Sequence, residues 1–343
     1  MTRKPFPFLG LPELSQLEVL EKLEIYELFS FSLISKRSKS IAKCVNKEVE
    51  TLKWSFDNAE IHSISLKSSR DYFLDLQFLI NRDEHEHEFL NDRIPFNGEL
   101  LKCGRDGRNF CFVEKWSPNQ SIILEQSILD QLSAHILEVF KFKKFEFWAY
   151  FPIDIPKCFV WNHTKKFSKL YINITDYVPI DHLKLVFEEL KVGNFEVNCH
   201  HVSPEGRGQI NYNFPMTMQI FKSCWTNCLN LESLLNMKCR RVELSCQILS
   251  NKELNALIKH WIDGNLENLE VFRMDMLSST AQEAEILDGI ETVEWNEKSR
   301  PARWDDDDYS GGRDFRRRGD GVMATVDMTL MFKWCVWYPR YLG

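Results

Sequence analysis

Residues 11–37 read LPELSQLEVLEKLEIYELFSFSLISKR. At 100° per residue, Leu14, Leu17, Val19, Leu20 and Leu23 cover roughly 220° of a helical wheel, and Ile25, Leu28, Phe29, Phe31, Leu33 and Ile34 roughly 260° of a second. A surface helix needs an apolar stripe only a little over ~100° wide. Pro12 followed by Glu13 suits a first helical turn, where the N–H that proline lacks would be unpaired anyway. Ile41, Ala42, Val45 and Val49 continue at helical spacing. The stretch predicts a small three-helix unit over residues 5–50. Thirteen strongly apolar residues fall in the 26 positions from Leu9 to Ile34. A unit of about 40 residues cannot hide them all within itself. Such an excess marks a surface for a partner or for the rest of the same chain, and composition leaves both open.

The stretch resembles an F-box. The family's opening Leu-Pro matches Leu11-Pro12, its paired apolar residues Val19-Leu20, and the leucine closing its first helix Leu23. Its acidic-Leu pair matches Glu27-Leu28, and its small-apolar-apolar pattern before a basic pair matches Ser32-Leu33-Ile34 with Lys36-Arg37. Glu27 stands where Asp is usual and Ser38 where Trp is frequent. Ser-Lys-Arg-Ser-Lys (35–39) is similar to nematode F-box proteins in particular. The resemblance implies a helical module that docks on a Skp-type adaptor, which in turn binds a cullin, by a helix-in-groove mode. It assigns the adaptor contacts, or the packing that presents them, to Leu11, Pro12, Leu14, Val19, Leu20, Leu23, Leu28 and Ile34, with Lys36 and Arg37 at an acidic rim.

Downstream, residues 52–120 predict a β-rich connecting segment with a few antiparallel strands around Trp54, Phe56, Ile61–Leu66, Tyr72–Phe78 and Asn109–Val113. From 121 the pattern alternates between helices (127–140, 181–187) and apolar strands (145–150, 169–173, 194–197). That alternation implies parallel pairing and an α/β domain over 121–343. Asn230-Leu231-Glu232-Ser233-Leu234 recurs 38 positions later as Asn268-Leu269-Glu270-Val271-Phe272, which suggests an irregular leucine-rich-repeat-like solenoid with a concave strand face. Leu254, Leu257, Ile258 and Trp261 share one helical face, and Gly264 suits its C-terminal stop. Even positions from Val322 to Val336 are apolar, so terminal strands with a turn near Asp327 are expected to face the core. LNALIKHWIDGNLENLEVF (254–272), EILDGI (285–290) and RRRGDGVMATVDM (316–328) resemble the F-box-associated type 2 domain, FBA_2. The expected fold class is therefore mixed α+β and α/β, a three-helix F-box followed by a larger domain.

The net charge of −7 argues against a nucleic-acid or anionic-membrane partner. No run of 18 apolar residues predicts a membrane span, and the N-terminus, broken by Pro5, Pro7 and Pro12, lacks the form of a secretory signal. Ten scattered cysteines suit reduced thiols in cytoplasm or nucleus. No phosphate-cradling or nucleophile-elbow motif occurs. His85 with His87, Cys224 with Cys228, and Cys199-His200-His201 invite a metal, but spacing supplies no complete ligand set. Asp305–Asp308 lacks the ligand alternation and bend glycine of a calcium loop; with Gly311-Gly312 and the basic 316–318 run, it reads as a flexible acidic loop over 301–320. No catalytic residue, metal or cofactor is expected.

What the resemblance implies is a non-catalytic receptor in a cullin-type ubiquitin ligase, with the α/β domain binding an unidentified target protein. The alternatives are an interaction protein whose front helices cap a solenoid, and a metal-dependent hydrolase built on the His and Cys groups.

Overall fold

The computed structural model describes residues 8–57, 61–67, 72–80, 92–97, 99–106, 109–114, 128–150, 153–177, 179–201, 212–224, 229–245, 249–275 and 282–341. By internal contact the chain divides into Met1–Lys165 and Lys166–Gly343.

In the first unit the front helices are α1 (Glu13–Glu21), α2 (Ile25–Leu33) and α3 (Lys36–Val45). Each boundary has a local cause. Pro12 occupies the N-cap of α1 with φ −54°. The Glu24 backbone N–H donates to the Glu27 carboxylate at 2.9 Å, so the acidic residue of the motif ties down the start of α2. Ser35 caps α3, its hydroxyl accepting from the Ser38 N–H at 3.0 Å. Asn46, at φ 57°, ends α3 in the left-handed region that asparagine tolerates. Val49 therefore belongs to the strand that follows and not to the third helix.

Strands β1 (Glu48–Phe56), β2 (Ile61–Lys67) and β3 (Tyr72–Ile80) form an antiparallel meander. The antiparallel β4 (Asp92–Phe96), β5 (Glu99–Asp106) and β6 (Asn109–Glu114) join it through a parallel pairing of β3 with β6. Helix α4 (Ile128–Val139) leads into β7 (Lys141–Ala149), parallel to β1, and α5 (Val160–His163) follows. The core lies between this sheet and α4. Trp54 is fully buried, and its indole N–H donates to the Ser133 hydroxyl at 2.9 Å. The Trp54 ring stacks on Phe145 and His163, while Phe56 packs on Phe147 and Phe159, and Phe147 on Trp161.

The second unit opens with five parallel strands: β8 (Lys166–Tyr177), β9 (Lys191–His201), β10 (Ile220–Ser223), β11 (Arg241–Leu244) and β12 (Val271–Met274). Helices α6 (Ile180–Lys184), α7 (Leu231–Leu235) and α8 (Asn251–Ile262) stand in the crossovers. Leu254, Leu257, Ile258 and Trp261 of α8 are all fully buried, and Gly264 follows with φ +97°, as the spacing predicted. After α9 (Glu283–Ile286), short strands β13 (Val293–Glu294), β14 (Arg303–Trp304) and β15 (Asp307–Asp308) precede β16 (Arg313–Arg316), β17 (Met323–Asp327) and β18 (Phe332–Trp337). Strand β18 pairs antiparallel with β12, and β17, β16 and β13 continue the sheet antiparallel.

Across this sheet one register line reads Phe195, Phe221, Val242, Phe272 and Trp334, all fully buried. The adjacent line reads Glu196, Lys222, Glu243, Arg273 and Lys333, alternating in charge until its last two members. Side chains alternate between faces along a strand, so one face is core and the other carries the charges.

Three further expectations change. The two Asn-Leu-Glu copies are not equivalent. Asn230 caps α7, accepting from the Ser233 N–H at 2.8 Å, whereas Asn268-Leu269-Glu270 lead into a strand. The tail strands bury both faces, not only the even positions, while Leu330 is 85% exposed at their turn. Residues 301–320 are not a loose loop. Tyr309 is fully buried against Met323, Cys335 and Trp337, and Trp304 packs on that cluster. A Cβ on Gly312 would lie 2.5 Å from Thr325 Cγ2 and 2.8 Å from the Val326 carbonyl oxygen. This glycine lets two backbones approach; it does not mark mobility.

Candidate functional site

The eight front residues singled out by sequence fall into three groups. Leu20 and Leu28 are interior, at 1% and 0% exposure. Leu11 and Leu23 are half-buried, and Pro12 is exposed. Leu14, Val19 and Ile34 stand out at 72%, 45% and 62% exposure, with Leu9 beside them at 37%. Four large apolar side chains of one small module therefore stand in water.

Helix α2 explains why only part of the surplus remains. Its Ile25, Leu28, Phe29, Ser32 and Leu33 are buried. Phe29 meets Phe110 of β6 edge-on at 5.8 Å and His135 of α4 at 6.2 Å. The Ser32 hydroxyl donates to the Phe29 carbonyl at 2.6 Å and lies 2.8 Å from His135 Nε2. Since that hydroxyl has one proton, His135 Nε2–H is the donor to it. Burial, with Lys39 nearby, pushes the His135 pKa down to about 4, so the ring is neutral at physiological pH. Lys39 pairs with Glu138 at 3.1 Å. Much of α2's apolar girth, which composition left to a partner or to the same chain, is thus covered by α4 and the strands of the same unit. Phe31, half-buried, and Ile34 are what α2 leaves over.

Polar groups that spacing did not reveal set the geometry of the exposed residues. Gln16 is buried and donates to the Leu11 carbonyl at 2.7 Å. Arg37 donates to the Leu9 carbonyl at 3.0 Å, so half of the basic pair serves the module's own opening turn. Lys47 donates to the carbonyls of Glu21 and Leu23, both at 3.0 Å. Ser38, the position of the absent Trp, is buried and shares the Ser35 cap. Lys36 remains exposed.

In the rear unit the charged register line is internally paired. Glu243 accepts from Lys222 at 2.7 Å and from Arg241 at 2.5 Å, and Arg273 approaches it at 3.3 Å. Asp305 pairs with Arg241 at 3.1 Å and Asp307 with Arg273, so two of the four acidic residues are spent on their own sheet. Beneath it Arg300 and Asp314 form an ion pair at 2.9 Å in which both side chains are essentially inaccessible. Thr325 donates to Asp314 at 2.6 Å, and the Trp337 indole donates to Thr325 at 2.7 Å.

His85, His87 and Cys228 lie outside the described residues, as do the side chains of Cys199, His200 and His201. Cys224 is exposed. Among the described residues no three His, Cys, Asp or Glu groups gather into a metal site. No described helix is long and apolar enough to cross a membrane.

Comparison with known families places an F-box domain at residues 8–49 and an F-box associated region, FBA_2, at residues 211–274. The chain carries both. Such families are generally non-catalytic substrate adaptors, and an F-box generally binds a Skp-type adaptor. The pair of domains fits an F-box substrate-adaptor protein of Skp–cullin–F-box ligases. No curated protein and no solved structure matches the chain.

Proposed function

We propose that the chain is the substrate-recognition subunit of a Skp–cullin–F-box ubiquitin ligase and does no bond chemistry itself. Residues 5–50 dock the adaptor and through it the cullin, 52–120 connect, and the α/β region within 121–343 holds the target protein. Tethering raises the effective concentration of an acceptor lysine near the ubiquitin-loaded enzyme. The observation that carries the reading is the exposure of Leu14 and Ile34 on a module whose other side is packed into its own unit. Leu11, Pro12, Leu14, Val19 and Ile34 are the direct contacts in this reading; Leu20, Leu23 and Leu28 hold them in place. The five parallel strands, starting at 166, 191, 220, 241 and 271, support an irregular leucine-rich-like surface for the target. Cys44, Cys158, Cys239 and Cys335 are free thiols, in keeping with cytoplasm or nucleus.

The test is co-purification with a Skp-type adaptor. Leu11→Ala with Pro12→Ala, and separately Leu14→Glu, should abolish it while circular dichroism stays unchanged. Retained capture by both variants sinks this placement of the interface. The burial of α2 by its own unit favours a second reading, an interaction protein whose front helices act as a cap outside ubiquitination. A wild-type chain that captures no adaptor yet resists proteolysis near residue 50 would select it.

A further inference from the structure

Helix α2 runs out at Ile34 in a depression whose far wall is β4. On one side of Ile34 a hollow of about 470 Å³ is walled by Phe31, Leu33, Ile94, Pro95 and Phe110, with Arg93 at its rim. On the other side a hollow of about 730 Å³ shares Leu33, Ile34 and Pro95 and is rimmed by Lys36 and Lys39. Ile34 is 62% exposed between them.

Two features say what fits there. First, among the described residues every charged side chain lining the two hollows is a cation, Arg93, Lys36 or Lys39, in a chain of net charge −7. Lys39 is engaged by Glu138, but Arg93 and Lys36 form no ion pair among the described residues. Second, the depression is continuous with the module carrying Leu14 and Ile34, and β4 is the last described strand on its side of the sheet. Apolar walls with a cationic rim suit a segment that is apolar on one side and acidic on the other.

We propose that the adaptor's footprint runs past the F-box onto β4. An acidic amphipathic segment of the adaptor lays its apolar residues against Ile34, Ile94 and Pro95 and sets its carboxylates beside Arg93 and Lys36. This rests on the adaptor reading above and adds a contact outside residues 8–49. Burial against the three apolar residues slows dissociation, while the rim charges act on association and make it sensitive to salt.

The experiment is calorimetric titration of the full chain with a purified Skp-type adaptor at low and at physiological ionic strength. Arg93 is exposed, so its substitution leaves folding intact, which circular dichroism checks. Arg93→Glu should weaken binding at least tenfold at low salt and less at higher salt; Arg93→Lys should stay within about twofold. Amides of residues 92–94 and 96 should exchange more slowly in the complex. If Leu14→Glu abolishes binding while Arg93→Glu binds within twofold of wild type, the extension onto β4 is wrong and the F-box reading stands. If the wild-type chain does not bind at all, both fall. A chain that sediments as a dimer disrupted by Arg93→Glu would give the depression to a second copy and overturn the adaptor assignment.

Discussion

The front module and the tail strands both carry more apolar side chain than one face can hold, yet they resolve the surplus in opposite ways. In β17 and β18 every residue is buried, because residues 300–314 fold back to seal the second face with Trp304, Tyr309 and the Arg300–Asp314 pair. In the front module α4 and the strands cover α2 but leave Leu14, Val19 and Ile34 in water. Apolar excess in a sequence therefore does not say who covers it. The difference lies in whether a distant polar segment of the same chain can reach.

The comparison can be broken first at the seal. Arg300→Ala leaves Asp314 as an uncompensated buried charge and should destabilise the rear unit by roughly 3–5 kcal/mol in urea unfolding. Exchanging Arg300 and Asp314 together for apolar residues of similar volume should recover most of that loss. A small effect of Arg300→Ala would mean that the second face is not sealed by this pair. In the front module, Leu28→Ala should cost about 2–5 kcal/mol of stability, since Leu28 lies wholly inside.

His135 sharpens the same boundary through pH. Its folded-state pKa of about 4 lies below the ordinary 6.5. The unfolded chain thus takes up the proton first as pH falls. Its stabilising share is complete above pH 6.5 and fades towards pH 4, a loss of about 3 kcal/mol at 1.36 kcal/mol per unit. Urea midpoints of wild type and His135→Gln should converge over that window; parallel curves would show that the ring titrates freely. The smallest stability effect belongs to Leu14→Ala, within about 0.5 kcal/mol, because an exposed side chain loses little on truncation. That variant should nevertheless weaken adaptor capture, and the contrast with Leu28→Ala separates contact from scaffold.

The front helices and the F-box match were legible because motif residues such as Leu11-Pro12 and Glu27-Leu28 lie close in sequence, where spacing and caps are read directly. Helix α8 was legible for the same reason, with four apolar residues on one face and a glycine after it. The boundary at Val49 was missed because its spacing of four from Val45 fits a helix, while Asn46 in the left-handed region ends it. The 301–320 stretch was misread since Asp305–Asp308 and Gly311-Gly312 are polar and flexible by composition. Partners outside the stretch hold it in place, Arg241 and Arg273 well before it in the chain and Thr325 just after it. The Arg93–Pro95 wall gave no local signal either, because it exists only once β4 stands beside α2.

The bond between Ser32 and His135 reaches across 103 positions of chain. It makes the front module a poor candidate for cassette exchange. A chimaera that joins a foreign F-box at residue 50 would leave His135 without its acceptor and the Phe110 ring without Phe29, and such a hybrid would need α4 to travel with its helices.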